Sequence, residues 1–288
     1  VAIFGRLATA MVTPFDQQLN IDFEKTERLI EHLLATGTET LVVSGTTGES
    51  PTLSGSEKLE LFRHVTRYVN GRCKVVAGTG SNDTAASIDF TKAAEATGVD
   101  GVMFVAPYYS KTSQEGLYQH FKALAEATKL PVMLYNVPGR TAVNMTAETT
   151  LKLAEISNVV CIKEASGNLS QMAKIIEHAP EGFELYSGDD GLTLPVLTIG
   201  GVGVVSVASH LVGTEMTQMI NAFVNGNTTE AARLHRKLLP VFEGIFAYPS
   251  PTPTKAALEK LGVPVGGVRL PLVDLNEEEK AFVYSLLS

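Results

Sequence analysis

Eight short apolar runs recur between residues 7 and 207, most of them separated by amphipathic segments of helix length. They fall at 7–13, 40–43, 74–77, 101–106, 132–135, 159–162, 183–186 and 202–207. Runs this short, bounded by turn-forming residues, read as strands buried on both faces. The segment 23–36 illustrates the intervening kind, with Phe23, Leu29, Ile30, Leu33 and Leu34 at helical spacing. Alternating strands and helices imply a parallel sheet, and eight such units fit a closed (β/α)8 TIM barrel of the α/β class. Gly78-Thr79-Gly80 and Gly200-Gly201-Val202-Gly203 lack the context of a dinucleotide fold and read as tight turns or close backbone approaches.

After about residue 225 the strand pattern stops. Residues 228–247, 252–261 and 276–287 look helical, with Pro249, Pro251 and Pro253 punctuating the first junction. The expected division is a catalytic barrel over 1–225 and a small helical appendage over 226–288.

With 44% hydrophobic and 19% charged residues, the 288-residue chain can bury one sizeable core. A net charge of -8 with no Lys/Arg run argues against a polyanion-binding surface, so no nucleic-acid partner is expected. The apolar runs are too short and too interrupted to span a bilayer, and no signal-peptide pattern opens the chain. The expectation is a soluble cytoplasmic protein with no membrane partner. Cys73 and Cys161 read as small buried hydrophobes, and the six scattered histidines show no metal-ligand spacing, so no metal is expected.

A TIM barrel carries its active site at the C-terminal ends of its strands, and those junctions are polar here. The run 159–162 is interrupted at its end by Lys163. An amine held in an apolar environment loses its proton more readily and becomes a nucleophile able to condense with a carbonyl, although a strand-end lysine can also snorkel into solvent. Alternation puts Lys163 and Cys161 on one face of the strand. Gly45-Thr46-Thr47-Gly48-Glu49-Ser50 offers backbone N–H groups and hydroxyls to a carboxylate or phosphate, or simply caps a helix. Tyr108 and Tyr109 follow the fourth run. Tyr135 ends the fifth, with Arg140 on the loop behind it, and Gly188 and Asp189 follow the seventh. A phenol can relay protons or merely pack, and a guanidinium can grip a carboxylate with two hydrogen bonds. Together these groups equip one rim to condense a 2-oxo acid with a second carbonyl compound through a Schiff base.

The motifs GTTGES (45–50), AGTGSND (77–83), PYYSKTSQEGLYQHF (107–121), LYNVPGRT (134–141), IKEASGN (162–168), YSGDD (186–190), SPTPTK (250–255) and RLPL (269–272) span essentially the whole chain. They resemble the dihydrodipicolinate synthase family within the pyruvate-dependent class I aldolases. The resemblance implies condensation of pyruvate with L-aspartate 4-semialdehyde on Lys163, in lysine and diaminopimelate biosynthesis. Tyr135 would be the proton donor and acceptor, with Thr46 and Tyr109 completing the relay. Thr47 and the backbone at Val205 would bind pyruvate, Arg140 would position the semialdehyde carboxylate, and Gly188 would complete the binding set. No cofactor is implied. Tyr109 would reach a neighbouring subunit's site, in a homotetramer built as a dimer of dimers.

Three other readings fit some of these residues. A lyase acting on N-acetylneuraminate or a 2-keto-3-deoxy sugar acid would share Lys163, Tyr135 and the Thr/Gly loop, but Arg140 and the Tyr108-Tyr109 pair favour the synthase. A glycosidase would need Glu49 with Asp189 or Asp190, and the chain has no Trp to stack on a sugar. A barrel that only senses a 2-oxo acid would have no need of Lys163. The resemblance also maps a lysine-binding cleft of inhibited family members onto Ser50, Pro51, Gly55, Lys58, Asn82, Ala86 and Tyr108. Ala86 stands where an acid is expected, and Gly55 and Lys58 where histidines are, so insensitivity to lysine is expected.

Overall fold

The computed structural model describes residues 2–287. Eight parallel strands close in chain order: β1 Leu7–Ala10, β2 Thr40–Val43, β3 Lys74–Gly78, β4 Gly101–Val105, β5 Val132–Asn136, β6 Val159–Glu164, β7 Glu184–Ser187 and β8 Gly203–Ser206. β8 pairs with β1, Ala8 lying opposite Val205. The expected TIM barrel is therefore present.

The helices are α1 Phe23–Ala35, α2 Gly55–Val69, α3 Thr84–Glu95, α4 Gln114–Glu126, α5 Pro138–Thr141, α6 Ala147–Ala154, α7 Leu169–His178, α8 Thr193–Thr198, α9 Ser209–Val224, α10 Thr228–Gly244, α11 Thr252–Lys260 and α12 Glu277–Ser285. Local sequence fixes where several of them start. Ser54 and Glu57 form a reciprocal capping box on α2, as Asn276 and Glu279 do on α12, while Asp83 and Asn168 cap α3 and α7. Each cap satisfies backbone N–H groups that have no partner inside the helix.

Period-two alternation divides the core into a lumen and an outer layer. Val42, Val76, Met103, Met133, Cys161 and Tyr186 belong to the cluster that fills the barrel. Their neighbours Val102, Phe104, Leu134, Ile162 and Leu185 pack outward against α4, α6 and α7. Leu41, Val43, Val75 and Ala77 pack outward with α1 and α2. Both cysteines are free and buried.

Strand β1 is shorter than the apolar run at 7–13. Beyond Ala10 the chain is tied to other elements, Val12 N–H donating to His210 Nε2 at 3.2 Å and Thr13 Oγ1 to the Gly48 carbonyl at 2.7 Å. The C-terminal helices are integrated with the barrel. α10 supplies Leu234, Leu238, Val241 and Phe242 to the core cluster that includes the lumen, and Leu258 of α11 joins the cluster around α1 and α2.

Candidate active site

Two cavities, of about 230 and 450 Å³, lie at the C-terminal ends of the strands and share Thr46, Tyr135, Val137 and Arg140 in their walls. The larger adds Thr47, Lys163 and Gly188, and the smaller adds Ser44, Ser50 and Tyr108. The residues expected from the strand junctions thus largely converge on one rim.

Two lysines are buried among the described residues, and their surroundings differ. Lys255 pairs with Glu49 at 2.7 Å, whereas Lys163 places its Nζ 4.1 Å from the centroid of the Tyr135 ring. Lys163 is only 5% exposed, so it does not snorkel into solvent. Gly188 makes room for it. A Cβ there would lie 2.7 Å from Ala165 Cβ and 3.1 Å from Lys163 Cγ, too close for any larger residue without displacement.

Register explains why Tyr135 and Lys163 meet. They pair across β5 and β6 facing the lumen, and the next pair, Asn136 and Glu164, faces outward. Glu164 is fully buried and accepts from Asn136 Nδ2 at 3.2 and 3.0 Å, Ser166 N–H at 2.7 Å and Gln171 Nε2 at 3.1 Å. Asn136 Oδ1 accepts from Met145 N–H at 3.0 Å. This network joins the segments that follow β5 and β6, immediately behind the two lumen-facing side chains.

The loop after β2 is a compact double turn. Gly48 and Glu49 N–H donate to the carbonyls of Gly45 and Thr46 at 3.1 and 3.0 Å, and Ser50 N–H donates to Gly45 at 3.3 Å. These three N–H groups are consumed within the turn and are not free to receive an anion, while Thr46 and Thr47 line the larger cavity. A short 3-10 turn, Ser50–Thr52, separates the loop from α2, so the loop does not lead straight into a helix as the sequence implied. Arg140 is carried on the four-residue α5.

Two expected site residues lie apart. Val205 is buried in β8 and lines neither cavity. Tyr109 is 88% exposed, lines neither cavity, and has φ +78°, a left-handed conformation unusual for an aromatic residue.

Sequence reasoning overlooked Ser44, Phe242 and Phe246. Ser44 lines the smaller cavity with φ +57°, and its buried hydroxyl has no hydrogen-bond partner among the described residues. Phe242 and Phe246, at and beyond the end of α10, wall the larger cavity. Their i, i+4 spacing was the available signal, but nothing local indicated the barrel mouth as their destination.

Two of the three candidate acids for a glycosidase are committed elsewhere. Glu49 is 2% exposed, ion-paired with Lys255, and lines neither cavity. Asp190 is buried and accepts from Ser206 Oγ, Val207 N–H and Ala208 N–H, with burial raising its pKa. Asp189 does line the larger cavity, but the pairing with a second acid is lost.

The Dihydrodipicolinate synthetase family matches residues 3–288. The 4-hydroxy-tetrahydrodipicolinate synthase of Bacillus subtilis is 58% identical over 286 residues, covering 99% of each chain. A crystal structure of a dihydrodipicolinate synthase from Bacillus anthracis superposes with a TM-score of 0.98 at 55% identity, over 100% of this chain and 98% of that one. The Cyanidioschyzon merolae synthase, crystallised with lysine bound, gives a TM-score of 0.97 at 49% identity over the same shares. Such identity over the full described length, together with a barrel that superposes so closely, makes this chain a member of the dihydrodipicolinate synthetase family.

Proposed function

We propose that the chain condenses pyruvate with L-aspartate 4-semialdehyde to give 4-hydroxy-tetrahydrodipicolinate, as a Schiff-base-forming lyase. The observation that carries this reading is Lys163, buried beside Tyr135 in a cavity that also holds Thr47 and Arg140.

Neutral Lys163 Nζ attacks the pyruvate ketone carbon, and loss of water leaves an iminium. The iminium draws electron density from the methyl group, one C–H proton leaves, and an enamine forms. Tyr135 takes and returns protons, with Thr46 and Tyr109 passing them onward. The enamine carbon attacks the semialdehyde carbonyl, whose oxygen takes up a proton. The substrate's own amine then displaces Lys163 at the iminium carbon, closing the ring and freeing the enzyme. Thr47 holds pyruvate, Arg140 holds the semialdehyde carboxylate, and Gly188 leaves space for the Lys163 side chain. The lysine itself supplies the electron sink, so the chemistry calls on no cofactor.

The assembly we propose is a homotetramer of two tight dimers, with Tyr109 entering a neighbour's site. Its support is the exposure and left-handed backbone of Tyr109, which lies outside both cavities of its own chain. The proposed compartment is the cytoplasm. Among the described residues no helix is long and apolar enough to cross a membrane.

Borohydride reduction in the presence of pyruvate, followed by peptide mass mapping, tests the reading. A pyruvate-derived mass on Lys163 alone is expected, and labelling elsewhere overturns it. An assay offering pyruvate with either aspartate semialdehyde or a sugar aldehyde separates the synthase from a sugar-acid lyase.

A further inference from the structure

Two motifs, SPTPTK and RLPL, have so far no task, yet both reach the outside of the loop that carries Thr46 and Thr47. Lys255 of α11 places its Nζ 2.7 Å from Glu49 Oε2 and donates to the Gly267 carbonyl at 2.7 Å. Arg269 offers its backbone N–H to Glu49 Oε1 at 2.9 Å. Its guanidinium donates to the Leu19 carbonyl at 2.9 and 2.6 Å and to the Thr52 carbonyl at 2.7 Å, and it grips Glu57 at 2.6 and 3.1 Å. Both cations also stack on Phe15, at 4.2 Å for Lys255 and 4.6 Å for Arg269.

Glu49 is where this network meets the site. It has φ +57°, a backbone state that a residue with a side chain keeps only when its surroundings over-determine it. Its N–H donates to the Thr46 carbonyl at 3.0 Å, while its carboxylate is tied behind the loop by Lys255 and Arg269. The C-terminal segment therefore grips one end of a turn whose other end is Thr46.

We infer that Glu49, Lys255 and Arg269 are positioning residues, through which the C-terminal region holds Thr47 in the geometry that receives pyruvate and Thr46 in the geometry of the proton relay. The inference rests on the proposed Schiff-base function. None of the three lines a cavity, so they act through the threonines. Removing one partner of a buried ion pair leaves the other uncompensated, and moving the carboxylate toward water relieves that penalty. Thr46 and Thr47 move with it.

The test measures the pyruvate concentration that half-saturates borohydride trapping on Lys163, together with thermal melting. Lys255→Met should raise that concentration by about 10–100-fold while leaving the trapped fraction at saturating pyruvate unchanged, as expected when a binding group is displaced but the nucleophile is not. The double variant Glu49→Gln/Lys255→Met removes both charges and should recover much of the loss, which a loss of packing alone would not produce. Arg269→Gln, which keeps the Lys255–Glu49 pair, should raise the half-saturation by a smaller factor and serves if Lys255→Met does not fold. Wild-type half-saturation in these variants, even with lowered melting temperatures, would show that the network is merely structural and overturn the inference. Absence of trapping in the unaltered protein would instead overturn the functional reading, and the inference with it.

Discussion

Lys163 Nζ lies over the face of the Tyr135 ring, 4.1 Å from its centroid, because the two residues pair directly across β5 and β6. A cation above an aromatic face is stabilised by the ring's electron density, by about 0.5–2 kcal/mol depending on desolvation. The iminium that Lys163 would form is also a cation at that nitrogen, so the ring can hold the intermediate independently of the hydroxyl.

Tyr135→Phe and Tyr135→Leu therefore separate two roles. Phe keeps the ring face and loses the proton carrier, so pyruvate trapping should persist while kcat falls by roughly 10²–10⁴-fold. Leu loses both, and trapping itself should weaken. An unchanged kcat in Tyr135→Phe would remove the hydroxyl from the proton relay.

Much of this was legible because each barrel strand is buried on both faces and so reads as an apolar run. Lys163 stands out by breaking such a run, Tyr135 by ending one and Arg140 by following it. The apolar run outlasts β1 because Met11 and Val12 are apolar for packing with α1 and α2, although Met11 N–H still donates to the Val42 carbonyl of β2 at 3.0 Å. Glu49 stands among the candidate acids of a glycosidase in the sequence because its partner, Lys255, lies far along the chain in a helix with no local mark of that contact. Phe242 and Phe246 were missed for the same reason. A helix pattern gives the face that is buried, but it does not say what that face covers.

Tyr109 gives a prediction about assembly. If its phenol serves a neighbouring subunit, mixtures of inactive Lys163→Ala and Tyr109→Phe chains will contain some sites with both residues intact. Partial activity should return on mixing under conditions where subunits exchange. Exchange demonstrated by mass, with no recovered activity, would assign Tyr109 to its own chain's site or to none.

The Arg269 guanidinium beside Glu57 holds that carboxyl down at about 2, from an ordinary 4.5. The folded state then binds fewer protons than the unfolded state between those values. The stability this carboxylate contributes is full above about pH 4.5 and is lost as pH falls toward 2. Glu57→Gln should accordingly lower the urea stability at pH 7 by about 1–2 kcal/mol, solvent screening having reduced the ideal value. The gap to the unaltered protein should narrow in measurements at pH 4 and pH 3. A gap of equal size at pH 7 and pH 3 would mean that the charge of Glu57 is not what stabilises.

The cleft that the family resemblance assigns to lysine is altered in ways that the structure makes concrete. Ser50, Pro51 and Tyr108 line the smaller cavity, and Asn82 Nδ2 donates to the Tyr108 carbonyl at 3.2 Å, so part of the cleft wall is present. The groups expected to meet a cationic ligand are not. Ala86 supplies no carboxylate, Gly55 supplies no imidazole, and Lys58 sits with its ammonium 5.6 Å from the centroid of the Phe90 ring. Burial lowers the pKa of Lys58, which weakens its positive charge without making it an anion. Losing one partner of a charge-assisted hydrogen bond costs about 1.5–3 kcal/mol, at least tenfold in affinity, before any repulsion from Lys58 is added. Activity should therefore be unaffected by lysine at millimolar concentrations, in a family where the Cyanidioschyzon merolae synthase has been crystallised with lysine bound. An inhibition midpoint below a millimolar, or calorimetric binding at that level, would show that other groups on this surface take the place of the missing acid. The double variant Ala86→Glu/Lys58→His, which restores the expected charge pattern, should gain lysine sensitivity if the missing groups are the cause.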